Sequence, residues 1–538
     1  MNLVVGSINF LRKSRHAKLI ASIVIAVILA ISVYAYLPVL SLRFSSLWYC
    51  LIVVSIIIEL VFWKRSTWIK LLPALIIAIY VILVVASSPL FRSYSYRNLL
   101  PPIEEKNFSS SINPVDITQV PTVNPDYARL LADKKIGQDA TLGSRAELGD
   151  LTLQSINNKL YYVAPLLHSG FFKWAVNGST PGYIMVSATD DQDVKLVTNY
   201  SIVYQPKAWF GQNASRKIYT SGNEFKGFCD MTFEIDNSGK PFWTASIYEH
   251  KIGLSGVKVI GVAILNATTG EVKNYSLNNI PTWVDRVQPA SVVKDNIDYY
   301  GKYIHGIFNF SGNDKFQTTS DLSLIYNKGK CYFYSGITSI GSDSSTIGFT
   351  LTDSKTEKTT EFKISGATEN SAMKSAEGKV QNLNYSASFP VLINVQNVPT
   401  YFTTLNDKTG LTKMFAMVSV VNYNIVGVGN SIQECQSNYI ETLSEKGNSL
   451  NESSGSMKSV KGTINRIGSY INNNSTYYTF TLKEQPNKIY SASPQLSAKL
   501  PLTGIGDAVI IKYVDTKQPV QSLNSFDNLS ITEVNTGK

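Results

Sequence analysis

Three apolar runs crowd the first ninety residues, and they constrain this chain more than any other feature. Leu19–Leu40 and Leu71–Pro89 approach the roughly 20 residues that cross ~30 Å of hydrocarbon, and Leu47–Trp63 lies at the short end of that range. The links Ser41–Ser46 and Lys64–Lys70 leave room only for tight hairpins. Arg12, Lys13, Arg15 and Lys18 precede the first run, and Lys64, Arg65 and Lys70 fill the second link, whereas Arg43 is alone in the first. Basic residues gather on the cytoplasmic side of membrane helices. The pattern predicts a cytoplasmic segment 1–18 and a three-helix transmembrane anchor over 19–90 in contact with the lipid bilayer. It places everything from Phe91 onward outside the cytoplasm, as in a multi-pass cell-membrane protein. A cleaved signal peptide is the rival for the first run, disfavoured by that run's length and by the two that follow. Glu59 is the one carboxylate in a run. Pairing with Lys64 or Arg65 is favoured over an ion relay, because three helices with one marginal acid make a poor transporter.

The formal charge of +10 suggests nucleic acid at first, but much of it flanks the apolar runs, and what remains is scattered. No nucleic-acid partner is expected. Of four cysteines, Cys50 lies in an apolar run, leaving Cys229, Cys331 and Cys435, with no CxxC spacing. At most one disulfide forms, so the fold must rest on hydrophobic cores.

The segment 91–125 carries five prolines and reads as a tether. Asn124–Lys135 follows with helical spacing, placing Tyr127, Leu130 and Leu131 on one face. Beyond it, a turn-forming cluster leads four times into an adjacent aromatic pair: Tyr161-Tyr162, Phe242-Trp243, Tyr332-Phe333 and Tyr401-Phe402, at spacings of 81, 90 and 69 residues. Each pair is followed by a second strand-like run, and amphipathic helices over Ala290–Ile304 and Ala367–Val380 precede the third and fourth. This defines α+β regions 126–285 and 286–446 with two hairpin units each, a linker 447–456 and a strand-rich end 457–533.

Asn237–Val272, closing on Thr269-Gly270-Glu271-Val272, resembles the hairpin of a PepSY domain, and the repeated pattern resembles the PepSY and cystatin-like class of extracytoplasmic modules. Thr180–Thr189 is similar to stretches of an uncharacterised bacterial membrane-protein family. The run 457–533 is similar to an OB-fold in length and strand count. The fold class expected is therefore α+β: three N-terminal transmembrane helices, repeated helix-plus-antiparallel-sheet modules and a small C-terminal β-barrel.

Catalytic signatures are sparse. His168, His250 and His305 stand more than 50 residues apart, without HExxH spacing, GxSxG elbow or Walker A loop. SxxK occurs at Ser291–Lys294 and Ser371–Lys374 and KTG at Lys408–Gly410, but no SDN-like element lies between them. A Cys/His pair from Cys331 or Cys435 with His305 is weighed against buried thiols, and the thiols are preferred. His168 followed by Phe171, Phe172 and Trp174, with Phe242 and Trp243 from the second hairpin, forms the candidate binding groove. Asp190, Asp191 and Asp193 are the weak candidates for a Ca²⁺ site, set against solvated turn acids. No cofactor, metal site or catalytic residue is expected. The function expected is a non-catalytic extracytoplasmic binding or assembly protein, acting through another protein or self-association. The alternatives are a PepSY-like regulator of a secreted peptidase or cell-wall enzyme, and a hydrolase with a dispersed His/Cys site.

Overall fold

The aromatic pairs organise the molecule because successive residues of a strand face opposite sides of its sheet. A computed structural model describes residues 15–531 except 63–66, 109–120, 139, 328–329, 341–344, 447–456, 473–474, 493, 495 and 515–519. The expected segment 1–18 up to Ser14, Lys64 and Arg65, and the linker 447–456 thus lie outside the described residues. Tyr161 enters one core with Phe233, Trp243 and Ile218, while Tyr162 enters another with Ala128, Ala132 and Ile184. Tyr401 and Phe402 divide in the same way between two cores, as do Tyr332 and Phe333. Each pair therefore welds a sheet between two layers.

Among the described residues four sheets of four or more strands precede the C-terminal barrel, in chain order. The first is built on the strand Lys159–His168. One edge of that strand pairs with both Ala146–Leu148 and Thr152–Ile156; the other pairs with Thr180–Ser187, which continues to Val194–Ile202. The third and fourth sheets repeat this plan. Lys330–Ser339 takes Phe316–Thr318 and Ser323–Asn327 on one edge and Gly348–Asp353 on the other. Val398–Asn406 takes Ser386–Ala387 and Val391–Val395 on one edge and Thr412–Ser419 on the other. The second sheet is a plain antiparallel meander of Gly227–Ile235, Pro241–Ile252, Ser255–Asn266 and Val272–Ser276. Helices Pro125–Gly137, Ala290–Lys302 and Glu369–Lys379 precede the three like sheets and bury Ala128, Val293 and Ala372 against them. Asn124 caps the first of these helices by accepting the Tyr127 N–H at 2.9 Å. Met457–Asn528 closes a five-stranded barrel whose third strand, Gln485–Ala492, pairs in parallel with its fifth, Val520–Asn528.

The sheets close on one another. The first and second share the core around Trp243, and the third and fourth share that around Tyr401. Lys258 of the second sheet pairs with buried Glu357 of the third. Asn124 donates to Asn406 Oδ1 of the fourth at 2.9 Å, returning to the first. At the middle, Tyr326 donates to Leu153 O at 3.0 Å and to Asp285 Oδ2 at 3.3 Å. The Asp285 N–H donates to Glu234 at 3.1 Å. Glu234 is fully buried, and desolvation together with the Asp285 charge pushes its carboxyl up to about 7.

The N-terminal segment departs from expectation. The three helices Arg15–Tyr36, Ser45–Phe62 and Thr67–Ala86 form, but among the described residues no single helix is long and apolar enough to cross a membrane. The apolar helices Ala26–Tyr36 and Ser45–Glu59 are shorter than 18 residues. The third stretch breaks before Pro89, so that Lys70–Ala86 and Pro89–Arg97 meet at 50°, and only this bent pair passes the test of length and composition together. The expectation of three transmembrane helices is corrected accordingly: among the described residues only this bent pair meets the test.

The expected tether is also partly built into the fold. Tyr96, Leu99, Leu100 and Phe108 are buried, and Glu104–Glu105 pairs in parallel with the edge of the third sheet. The helical layer is seated on the second sheet. The hairpin turn at Gly253–Leu254 meets Ser87, whose hydroxyl accepts the Leu254 N–H at 3.0 Å. Phe44 stacks on His250 at 4.3 Å, and the Arg43 carbonyl lies 2.8 Å from His250 Nδ1.

Candidate functional site

His168 is the last residue of the long strand of the first sheet, paired with Ala146. Gly170, with φ +129°, turns the chain out of the strand, a backbone conformation that suits glycine. The short helix Phe171–Asn177 follows and ends at Gly178 in the left-handed conformation, whose N–H donates to Trp174 O at 2.8 Å. This helix buries none of its side chains: Phe172 is 82% and Val176 84% exposed. Opposite it, segment 205–213 is held by two amides. Gln205 accepts the His168 N–H at 2.7 Å and donates to Thr180 Oγ1 at 3.1 Å. Asn213 donates to Pro206 O and Ala208 O at 2.9 and 3.2 Å and caps the helix Ala214–Tyr219.

Between these segments and the end of Arg15–Tyr36 lies a cleft of about 630 Å³, within the usual range for small-molecule sites. Ile31, Tyr34, Trp209 and Phe210 line it together with His168 and Ser169, and Glu147, Lys207 and Arg216 also border it. Phe171 packs edge-on to Trp209 at 5.3 Å, and Trp174 lies 5.8 Å from Phe210 and donates to Gln212 at 2.6 Å. The Arg216 guanidinium sits 3.9 Å above the Tyr34 ring and donates to Tyr34 O at 3.3 Å, tying the helical layer to the site. Lys207 is ion-paired with Glu147.

The decisive chemistry is at His168. It is 0% exposed, and neither ring nitrogen has a hydrogen-bond partner; the neighbouring Ser169 hydroxyl is buried and unpartnered too. Buried polar atoms are ordinarily paired because an unmade bond costs ~1–3 kcal/mol. Burial also drives the imidazole pKa below its ordinary value, so the ring is neutral near pH 7, offering one N–H donor and one lone pair.

The structure gathers part of the groove read from sequence and disperses the rest. Phe171 and Trp174 pack on the cleft walls Trp209 and Phe210 without lining the cleft themselves, and Phe172 is exposed to solvent. Trp243 instead lies in the core between the first two sheets, its indole N–H on Tyr204 O at 2.9 Å, and Phe242 lies 4.9 Å from Trp283 on the opposite face. Alternation along the strand sends these neighbours apart. Tyr34, Gln205, Trp209 and Arg216 were not foreseen. The adjacent aromatics Trp209-Phe210 after Pro206 were the one local signal for them.

The other candidates occupy ordinary structural places. Asp191 accepts from Tyr127 at 2.9 Å, Asp193 from Tyr161 at 3.1 Å and from Lys195, and Asp190 from the Gln192 N–H at 3.0 Å. Among the described residues no group of three or more His, Cys, Asp or Glu side chains is placed to hold a metal ion. His305 pairs with Asp314 in an exposed loop. Lys294 pairs with Asp298, Ser371 lies at the cap of its helix 2.9 Å from Thr368, and Thr409 closes a turn on Asp407. The four cysteines are free thiols, and burial pushes Cys331 up to about 12.

No protein-family model matches this chain, and no curated protein matches it. Among solved structures, it is similar to a sialidase of Trypanosoma rangeli at 9% identity and a TM-score of 0.17, covering 71% of this chain. The chain spans about half the length of that sialidase, 55%. A mutant levansucrase of B. megaterium is matched at 8% identity and a TM-score of 0.17, over 77% of this chain and 97% of the levansucrase.

Proposed function

We propose that this protein is a non-catalytic binding protein that takes a small ligand into the cleft at His168 and works extracytoplasmically at a lipid surface. The observation that carries this reading is the set of unpartnered polar atoms of His168 and Ser169, buried at a cleft whose other charged side chains, Glu147, Lys207 and Arg216, are already engaged with partners. A few convergent polar groups in an apolar cavity are what fixes a ligand's orientation. The exposed apolar faces of the helices, with Val27, Ile31, Leu75 and Ile82 open, support contact with lipid. A binding role is favoured over catalysis because His168 has no carboxylate or nucleophile hydrogen-bonded to it, while His250 and His305 are engaged elsewhere.

The test is ligand-observed NMR with a panel of small alcohols, amides and aromatic fragments on the full chain held in lipid nanodiscs, with His168→Phe as reference. Fragments whose saturation transfer disappears in the variant support the reading. An absence of hits, or the same hits in both proteins, overturns it.

A further inference from the structure

The cleft does not end at Tyr34. Val27, Ile31 and Tyr34 recur at helical spacing along one face of Arg15–Tyr36, and Ile31 and Tyr34 are themselves cleft walls. Ile31 is 61% and Val27 51% exposed, so an apolar track leads along the helix and into the cavity. Among the described residues that line the cleft, the buried polar atoms without partners are those of His168 and Ser169. The charged groups at the site are already engaged: Lys207 with Glu147, and Arg216 with the Tyr34 ring and two backbone carbonyls.

This distribution selects among ligand classes. A peptide or a sugar carries polar groups along its whole length, and each would lose water against the Val27–Ile31 track without gaining a bond. An anionic head would have to draw Lys207 from Glu147 or compete for Arg216 with the Tyr34 ring and two backbone carbonyls. A group that both donates and accepts one hydrogen bond matches the imidazole and the neighbouring hydroxyl. On the reading that this cleft is a binding site, we infer that its ligand is a single-chain amphiphile with an uncharged hydroxyl or amide head at His168 and Ser169 and a hydrocarbon chain over Ile31 and Val27.

A chain-length series separates head from track. The full chain is held in amphipol, and binding of straight-chain alcohols from butan-1-ol to dodecan-1-ol is followed by Trp fluorescence, with empty amphipol and Trp209→Phe as blanks. Affinity is expected to rise by about fourfold per added methylene and then level off once the track is filled. Ile31→Asn, an exposed position whose change spares the core, should flatten that rise; Val27→Asn, outside the cleft lining, should flatten only its upper part and leave butan-1-ol binding unaltered. His168→Phe should weaken every member by the same factor, about tenfold, without changing the slope. Binding of butan-1-ol with no gain from longer chains overturns the amphiphile inference and leaves the cleft's binding role standing. Failure of every member, together with silence of the fragment panel, overturns both. A slope unchanged by Ile31→Asn and Val27→Asn also overturns the inference, since the chain then lies elsewhere.

Discussion

The first and fourth sheets share one plan, and they end their long strands differently. Lys159–His168 and Val398–Asn406 both carry a short strand and a hairpin strand on one edge and a longer strand on the other. In the fourth sheet the terminal Asn406 is met from both sides: its Oδ1 accepts from Asn124 at 2.9 Å and from Thr412 at 3.1 Å. In the first sheet the terminal His168 is met only at its backbone, by Gln205, and its ring is left without partners. The fourth sheet turns at once through Asp407–Gly410, whereas the first opens at Gly170 into a short helix and stands away from segment 205–213. The contrast teaches that the plan itself satisfies its polar ends. The unpartnered imidazole is a local feature of the first sheet, found where the helix Phe171–Asn177 and segment 205–213 follow the strand.

The largest effect expected concerns the buried centre on which the first sheet meets the second and third. Glu234 holds its proton up to about pH 7 when folded, against an ordinary value of 4.5, so the folded state binds a proton that the unfolded chain has released between these values. Its contribution to stability is full below pH ~4.5 and is lost as pH rises through about 7, a loss of up to ~3 kcal/mol. Chemical denaturation at pH 5 and pH 8 should show wild type losing stability with rising pH relative to Glu234→Gln. Parallel curves for the two proteins would remove Glu234 from this role. His168, whose pKa is lowered by burial, acts with the opposite sign, costing stability as pH falls below its ordinary value. The difference between wild type and the Glu234 variant isolates the carboxyl from it.

Next in size is the satisfied end. Asn124→Ala removes both the helix cap and the donor to Asn406, and should cost ~2 kcal/mol in thermal unfolding. Asn124→Ser, which keeps a cap acceptor, should recover about half of that loss. The unsatisfied end should behave in reverse. His168→Phe fills the same space without stranding polar atoms, so its stability should match wild type or exceed it by ~1 kcal/mol while binding is lost. A loss comparable to that of Asn124→Ala would show that the imidazole has structural partners after all. The smallest effect belongs to Lys207→Ala, which breaks a half-exposed ion pair with Glu147 and should shift stability by less than ~0.5 kcal/mol.

What was legible in the sequence was local. The aromatic pairs and their turns mark strands because adjacent bulky residues serve two cores, and because Asn157-Asn158 and Gln396-Asn397 accept the positive φ that tight hairpins demand. Helices over Ala290–Lys302 and Glu369–Lys379 are visible from apolar spacing and lie within two residues of the ranges read from it. What was hidden depends on distance in sequence. The cleft joins Tyr34 to Trp209 and Arg216 through docking of the helical layer, and no local pattern reports that contact. The grouping of Phe242 and Trp243 with His168 failed because the meander turns them into two separate cores. The three apolar runs read as spans from composition alone; hidden from that reading were the bend of the third stretch before Pro89 and the seating of Phe44 and Ser87 on the second sheet.

The buried imidazole of His168 has both ring nitrogens without a protein partner. Nitrogen-15 NMR of the full chain labelled at its four histidines, titrated with butan-1-ol, observes that ring directly. The ring nitrogens of His168 should shift saturably, while those of His250 and His305, already engaged with Arg43 and Asp314, stay in place. A His168 ring that remains unmoved across the titration, or that moves only in step with the other histidines, contradicts the account.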